Sequence, residues 1–500
     1  MDILQSLIHG FSVASTGTNL LFCLFGVLLG QLVGVLPGIG PAAAISLLLP
    51  LTFGANPIAS TIMFAGIYYG AQYGGTITSV LLSIPGESSS VMTALDGHQL
   101  ARQGRGAAAL GIAAIGSFIA GGLGTIGLAV AAPLLARGAL AFGPPEYFAL
   151  VIMGLASLAM VGGSVIKGLM MGVFGLCLAT MGTDPQVGNT RFTFGQLWLL
   201  DGVQFLVLAV ALFGVGEVLA SAEHGVPPGK VAGKMTSAWP SRADWVLSRW
   251  AILRGTFVGF FVGVLPGAGA TIASFMAYAV EKRLSKHPEK FGHGAIEGVA
   301  APESANNASS AGAMVPMFAL GIPGSNTTAI MLGALVMFGL RPGPQLFAQN
   351  PDLVWGIIAS MFIGNVLLLA LNLPLAGLSI FLLRIRYALL YPIILAICIA
   401  GIYSQSNSVD DLYFMVAFGL LGYFMKRYDF PAAPLVLGLV LEPLLENALR
   451  QSMTLSGGDA SIFVTRPISG AILIVTAVAI AWPLATALRR RLRPQMASPT

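Results

Sequence analysis

Apolar segments of membrane-spanning length follow one another along almost the whole sequence: 58–76, 107–131, 146–161, 163–182, 196–220, 296–312, 352–383, 387–404, 411–425, 431–449 and 467–487. About 20 apolar residues cross a bilayer. Packed in water, this much apolar surface needs a polar coat, and the chain has none to give. Only 9% of its 500 residues are charged, against about 25% in soluble domains. This excludes a water-soluble globule and a disordered chain and predicts an all-α polytopic membrane protein of roughly 11–13 transmembrane segments. The basic residues sit in short clusters between apolar runs, which is the positive-inside pattern and not a nucleic-acid surface. Cys23, Cys177 and Cys398 lie singly in apolar segments and suggest neither disulfide nor metal. The start, Met1-Asp2-Ile3-Leu4, lacks a basic signal region, so the first apolar stretch is expected to be retained.

Four further apolar segments, 17–53, 78–96, 251–281 and 313–336, are interrupted by Pro-Gly. The interruptions recur. Gly34-Val35-Leu36-Pro37-Gly38-Ile39-Gly40 returns as Gly263-Val264-Leu265-Pro266-Gly267-Ala268-Gly269, and Ser83-Ile84-Pro85-Gly86-Glu87-Ser88-Ser89-Ser90 returns as Gly321-Ile322-Pro323-Gly324-Ser325-Asn326-Thr327-Thr328. The offsets are 229 and 238, and the charged insert Glu281–His293 absorbs the difference. Two motifs in one order at nearly constant offset indicate an internal duplication. It divides the chain into 1–220 (first repeat and following spans), a polar cytoplasmic linker 221–254, and 255–500 (second repeat and following spans).

Charge sets the relative orientation of the copies. The loop after the first Pro-Gly motif is uncharged, while its counterpart holds Lys282, Arg283, Lys286 and Lys290; after the second motif the bias reverses, with His98, Arg102 and Arg105 against Arg341 alone. Corresponding loops therefore face opposite sides, and the repeats are expected to be inverted in topology. Whether 17–53 and 251–281 are hairpins or broken single spans stays open, although Arg249 and Arg254 on one flank and Lys282 and Arg283 on the other favour hairpins.

Backbone broken inside a membrane survives only where protein or water covers it. Pro removes a donor, Gly permits the turn, and a half-helix N-terminus aims N–H groups at an anion. Inverted repeats with midplane half-helices are the architecture of secondary transporters. The candidate substrate contacts are Gly38, Gly40, Gly267 and Gly269 through backbone, and Ser88, Ser89, Asn326 and Thr327 through side chains. Glu87, Asn306, Asn307 and Thr328 are candidates for a coupling ion, with Na⁺ at the same hairpin tips or a proton as the ion. Glu303 is an intramembrane carboxyl or a solvated one at a span end; Glu442 and Glu446, near Arg450, read as a partner-facing or structural pair. The bland alternative is that the breaks are packing kinks and that Ser and Thr bond back to their own helices. No phosphate loop, His-Glu-x-x-His or nucleophile elbow occurs, so no enzyme activity and no organic cofactor is expected.

The runs Gly34–Pro50, Tyr69–Gly106 (with Asp96-Gly97-His98), Ala301–Thr328, Tyr391–Gly401 and Tyr428–Glu446 resemble the large membrane subunit of tripartite tricarboxylate transporters, the TctA family. The resemblance implies a multi-pass permease of the bacterial inner membrane. It implies as partners a small four-span membrane subunit and a periplasmic solute-binding protein. The expected function is carboxylate uptake by symport, driven by an ion gradient. A single-component anion channel or carrier is the alternative.

Overall fold

The computed structural model describes residues 3–36, 40–139, 141–161, 164–184, 187–224, 240–382 and 387–492. Among the described residues the regular structure is helical apart from a two-stranded ribbon, Gly182–Thr183 with Thr190–Arg191. Among the described residues six helices are long and apolar enough to cross a membrane: Gly17–Val35, Gly106–Ala139, Phe205–Glu223, Arg242–Val264, Pro351–Asn372 and Ala432–Leu455. This is the all-α polytopic membrane fold that the apolar runs require.

Two other helices, Pro57–Leu82 and Glu297–Leu320, are long but polar, and they are interior. Every residue from Ala59 to Leu81 and from Gly298 to Ala319 is buried. Asn56 starts the first by accepting from the Ile58 and Ala59 N–H groups, with Pro57 at the first helical position. Each is stopped by a left-handed residue, Ser83 (φ 58°) and Gly321 (φ 72°). The helices therefore run on to Leu82 and Leu320, past the expected span ends at 76 and 312. The left-handed residue ends them, not the prolines: Pro302 and Pro316 lie inside the second helix.

Each polar helix has a partner lying parallel to it. A Cβ added to Gly26, Gly30 or Gly34 would fall 2.3, 2.5 or 2.1 Å from the carbonyl oxygens of Met63, Ile67 and Ala71. For Gly255, Gly259 and Gly263 the corresponding oxygens are those of Ala301, Ala305 and Ser309, at 2.3, 2.2 and 2.4 Å. Glycine every fourth residue lets the two backbones touch, the usual device of membrane helices. The contact partners are related by the same offsets of 229 and 238 as the sequence motifs.

That register makes 17–53 and 251–281 hairpins. Helix Gly17–Val35 starts level with Pro57 and ends level with Ala71, so the chain must come back through helix Pro41–Leu48 to begin Pro57–Leu82. In the second copy, helix Gly269–Leu284 returns beside Arg242–Val264, and Arg254 closes the base through Nε and Nη2 to Glu281 at 2.8 and 2.7 Å. Helix Arg242–Val264 is opened by a Ser241–Asp244 capping box, so the linker gives way to membrane helix at 242, earlier than 254. Expected span 196–220 becomes α-helix only at Phe205, after a short 3₁₀ turn at Leu197–Leu199.

After each polar helix the chain re-enters. Residues 83–87 descend until Glu87 N lies 3.4 Å from a Cβ built on Gly75, and helix Val91–Arg102 leads out past Val80. Likewise 321–325 descend beside Ala313, and helix Asn326–Met337 leads out to Pro342, beside Gly321. The descending limbs are thus extended chain, not helix, because Ile-Pro-Gly supplies too few N–H donors and no helical φ/ψ run.

The chain forms two compact units, Met1–Leu140 with Gln204–Arg427, and Ala141–Val203 with Tyr428–Thr500. The first holds all four hairpins. These units do not coincide with the duplicated halves. Within the second unit, Arg191 donates through Nη1 and Nη2 to Glu446 at 3.0 and 3.2 Å, and Arg450 donates to Glu446 and Asp184 at 2.6 and 2.7 Å. Glu446 is thus held by two arginines within this unit.

Candidate functional site

The two polar helices meet each other antiparallel. Gln72 Nε2 donates to Ser310 Oγ (3.4 Å), and one turn on Thr76 Oγ1 donates to Glu303 Oε2 (2.6 Å), so one helix ascends as the other descends. Both re-entrant tips reach this contact. Ser89 Oγ donates to Gln72 Oε1 (3.0 Å), and Tyr68 Oη and Ser325 Oγ share a hydrogen bond of 3.1 Å. Gln72 lies near the middle of its helix, so the tips sit deep inside the protein.

Each tip is built as a helix start. Ser325 N donates to Thr328 Oγ1 (2.8 Å) and Thr328 N to Ser325 Oγ (3.2 Å). In the first copy Glu87 N donates to Ser90 Oγ (3.4 Å). Counted from the cap residues Glu87 and Ser325, the fourth residue, Ser90 or Thr328, thus spends its hydroxyl on the cap, and Thr328 Oγ1 also donates to Ser325 O (3.0 Å). The second residues, Ser88 and Asn326, are exposed, and the third, Ser89 and Thr327, are buried.

Residues at the ends of the first hairpins lie against the same tips. Gly86 could carry no side chain, since its Cβ would lie 2.0 Å from Gly34 O. Gly267 and Gly269 have φ of 79° and 61°, and a Cβ on Gly269 would be 3.8 Å from Ser325 Cβ. Ser88 Oγ bonds Thr271 Oγ1 (2.8 Å), tying the first tip to the second copy's Pro-Gly hairpin. Gly40 starts helix Pro41–Leu48, and the space where its Cβ would stand is open. Gly38 lies outside the described residues.

Several buried polar atoms in these segments have no protein partner: Tyr69 Oη, Glu87 Oε1, Ser304 Oγ, both amide atoms of Asn306, and Asn307 Oδ1. The Asn307 amide nitrogen is used, donating to Ser117 Oγ (2.7 Å) and Glu303 O (3.1 Å). A buried polar atom left without any partner costs about 1–3 kcal/mol, so these atoms are where water or a polar ligand could be taken up. Among the described residues no three His, Cys, Asp or Glu side chains gather as metal ligands.

The sequence profile of the tripartite tricarboxylate transporter TctA family matches residues 20–437. The chain belongs to the TctA family. Similar proteins include one described as an uncharacterized 52.8 kDa protein in the TAR-I ttuC′ 3′ region of Agrobacterium vitis, 48% identical over 492 residues and 98% of each chain. A second, described as an uncharacterized protein in the TAR-II ttuC′ 3′ region of the same organism, is 48% identical over 233 residues, 47% of this chain and 96% of the relative. No solved structure matches. Membership places this chain among multi-pass membrane transport proteins, a transporter family and not an enzyme family.

Three features of this buried region escape a residue-by-residue reading. Glu303 is fully buried, and both its oxygens accept from first-copy hydroxyls, Thr76 at 2.6 Å and Thr93 at 2.5 Å. It is not a solvated span end. Thr93 carries no motif signal at all. Asp96 is also fully buried: Oδ1 accepts from the N–H groups of Gly292, Gly294 and Ala295, and Oδ2 from Tyr278 Oη, all at 2.8 Å. The Gln72–Ser310 contact was reachable, because the offset of 238 makes them equivalent positions.

Proposed function

We propose that this chain is the large permease subunit of a tripartite, ion-gradient-driven symporter that imports a tricarboxylate or related organic carboxylate across the bacterial inner membrane. Its partners in this reading are a small four-span membrane subunit and a periplasmic solute-binding protein that delivers the anion. The observation that carries the reading is the convergence of two re-entrant tips on the Gln72–Ser310 contact, amid orphan polar atoms. Helix Asn326–Met337 presents its positive end there, with the exposed Asn326 amide and the buried Thr327 hydroxyl beside it. That combination suits a carboxylate, which gains from helix-terminal N–H groups and neutral donors. Gly267 and Gly269 bring unwound backbone to the same tip, as in discontinuous-helix transporters.

The antiparallel contact supports inverted copies, and hence alternating access by movement of the hairpin-bearing helices relative to the remaining ones. An elevator-like displacement fits such a movement. Candidates for the coupling cation, Na⁺ or a proton, are Glu87 at the first tip and Asn306 on helix Glu297–Leu320, both of which keep unpartnered atoms.

The test is uptake of labelled carboxylates into proteoliposomes holding both membrane subunits, under imposed Na⁺ or proton gradients, with and without the binding protein. Gradient-driven, binding-protein-dependent accumulation is expected. Equilibration without accumulation, indifferent to the binding protein, would point to the single-component channel or carrier instead.

A further inference from the structure

The two Pro-Gly hairpins descend from one ancestral unit, but their bases now differ in chemistry. Under the offset of 229, Arg249 and Trp250 on helix Arg242–Val264 correspond to Leu20 and Leu21 on helix Gly17–Val35. All four side chains are exposed. The returning helix of the second copy, Gly269–Leu284, carries Lys282 and Arg283 in its last turn, both exposed. The stretch after its first-copy counterpart, Leu51–Pro57, holds no charge. The first hairpin forms without these cations, so a hairpin of this kind does not need them to fold. Nor does the protein pair them. The only acids on the two helices, Asp244 and Glu281, are taken by Arg105 and Arg254. Arg249, Lys282 and Arg283 form no ion pair among the described residues.

Depth says what these cations face. Gly269 packs against the buried tip at Ser325, so the Pro-Gly break lies deep in the protein. With the break at mid-membrane, Arg249 and Trp250 stand about 21–22 Å further along the helix, at 1.5 Å per residue. The hydrocarbon ends about 15 Å from the midplane, and the headgroup layer about 20–22 Å from it. Arg249 is therefore level with lipid phosphates, and its guanidinium lies 5.9 Å from the centre of the Trp250 ring. Leu253, one turn on from Arg249, begins an exposed apolar stripe that runs through Phe257 and Phe261 back towards the break. The Arg254–Glu281 pair ties the two helices together beside this stripe, so Lys282 and Arg283 flank the same base. A cation that serves orientation alone can stand in the loop, as Lys286 and Lys290 do. One at headgroup depth, beside an interfacial tryptophan and an apolar stripe, matches the shape and charge of an anionic lipid.

We propose that an anionic phospholipid binds at the base of the second copy's Pro-Gly hairpin. Arg249, with Lys282 and Arg283, holds its phosphate, and its acyl chains lie along Leu253, Phe257 and Phe261. The first copy's hairpin, apolar at the matching positions and facing the opposite side, binds none. This goes beyond the transport reading and needs only the membrane assignment and the inverted copies.

The experiment measures thermal unfolding of the purified full chain in detergent, titrated with phosphatidylglycerol or, separately, with phosphatidylcholine. Phosphatidylglycerol should raise the unfolding temperature saturably, and phosphatidylcholine should do so far less. Arg249→Gln and the double variant Lys282→Gln with Arg283→Gln should each raise the half-saturating phosphatidylglycerol concentration about fivefold or more, the contribution of a basic residue at an anionic lipid surface. Arg249→Lys keeps the cation and should retain the response, which guards against a folding defect at this position. Arg341→Gln makes the same charge change on another loop and should leave the response unaltered. Glycerol 3-phosphate, a phosphate without chains, should not stabilise. Equal stabilisation by both lipids, a glycerol 3-phosphate effect that matches phosphatidylglycerol, or an undiminished response in both glutamine variants would overturn the assignment. So would loss of the lipid response once the small membrane subunit is bound, because protein would then cover this face. The readout is stability, so failure of this site leaves the transport reading standing, and absence of uptake leaves this site standing.

Discussion

Gln72 and Ser310 are the same position in two copies of one ancestral unit, and they hydrogen bond to each other at 3.4 Å. A residue that meets its own counterpart lies beside the axis relating the copies. Both re-entrant tips of the first compact unit reach that point: Ser89 bonds Gln72 from one tip, and Tyr68, one turn earlier, bonds Ser325 on the other.

Gln72→Ala removes the acceptor of the buried Ser89 hydroxyl. The variant should lose about 1–3 kcal/mol of stability, the cost of an unsatisfied buried polar group. A double-mutant cycle with Ser89→Ala should recover a coupling of about 0.6 kcal/mol, the average for such bonds inside membrane proteins. Thermal unfolding of the four purified proteins measures both; a coupling of zero would mean that the tip is not held by this bond.

Gly30→Leu and Gly259→Leu should prevent the close pairing of the parallel helices, because even a Cβ would stand 2.5 Å from Ile67 O or 2.2 Å from Ala305 O. Gly40→Ala meets nothing and should fold normally. The yield of monodisperse protein in size-exclusion chromatography separates these outcomes, with both leucine variants low and the alanine variant near wild type.

Gly267 holds φ of 79°, a conformation that a leucine side chain strongly disfavours. Gly267→Leu should insert in the membrane at near-normal levels and show no uptake. Gly267→Asn, which tolerates the left-handed region better, should keep part of the rate. Normal uptake by the leucine variant would show that the broken segment does not shape the pathway.

Asp96 gathers three N–H groups and a phenol onto one carboxylate, pinning the exit helix of the first tip to the 292–295 loop of the second copy. Asp96→Ala should cost at least about 3 kcal/mol, since hydrogen bonds to charged groups contribute about 1.5–3 kcal/mol each. Asp96→Asn keeps an acceptor oxygen and should lose less. Unfolding midpoints of both variants test the order.

Inverted copies place equivalent loops on opposite faces. With Cys177 replaced by serine, single cysteines at Gly104 and Arg341 should be labelled by a membrane-impermeant maleimide from opposite sides of oriented vesicles. Labelling of both from one side would end the inverted arrangement.

Much of this architecture is legible in the linear sequence. Scarcity of charge fixes the solvent, since nothing but a bilayer accepts so much apolar surface. The repeated Pro-Gly motifs fix where helices break and that they break twice, because loss of a donor and freedom of φ are local properties of those residues. The basic clusters on both flanks of 251–281 already favoured the hairpin that the Arg254–Glu281 pair closes.

What the sequence could not decide is which faces meet. Glu303 reads equally well as a solvated end or an intramembrane group until Thr76 and Thr93 are seen on its two oxygens. The roles of Asp96 and Thr93 are likewise set by residues about 200 positions away. Helix boundaries also moved, because a left-handed residue, not the proline, ends each polar helix. The physical reason is the range of the forces involved. Backbone geometry and partition into lipid act within a turn or along a single span. A buried carboxylate or amide is defined by the partners that packing brings to it, and only the folded chain states what those are.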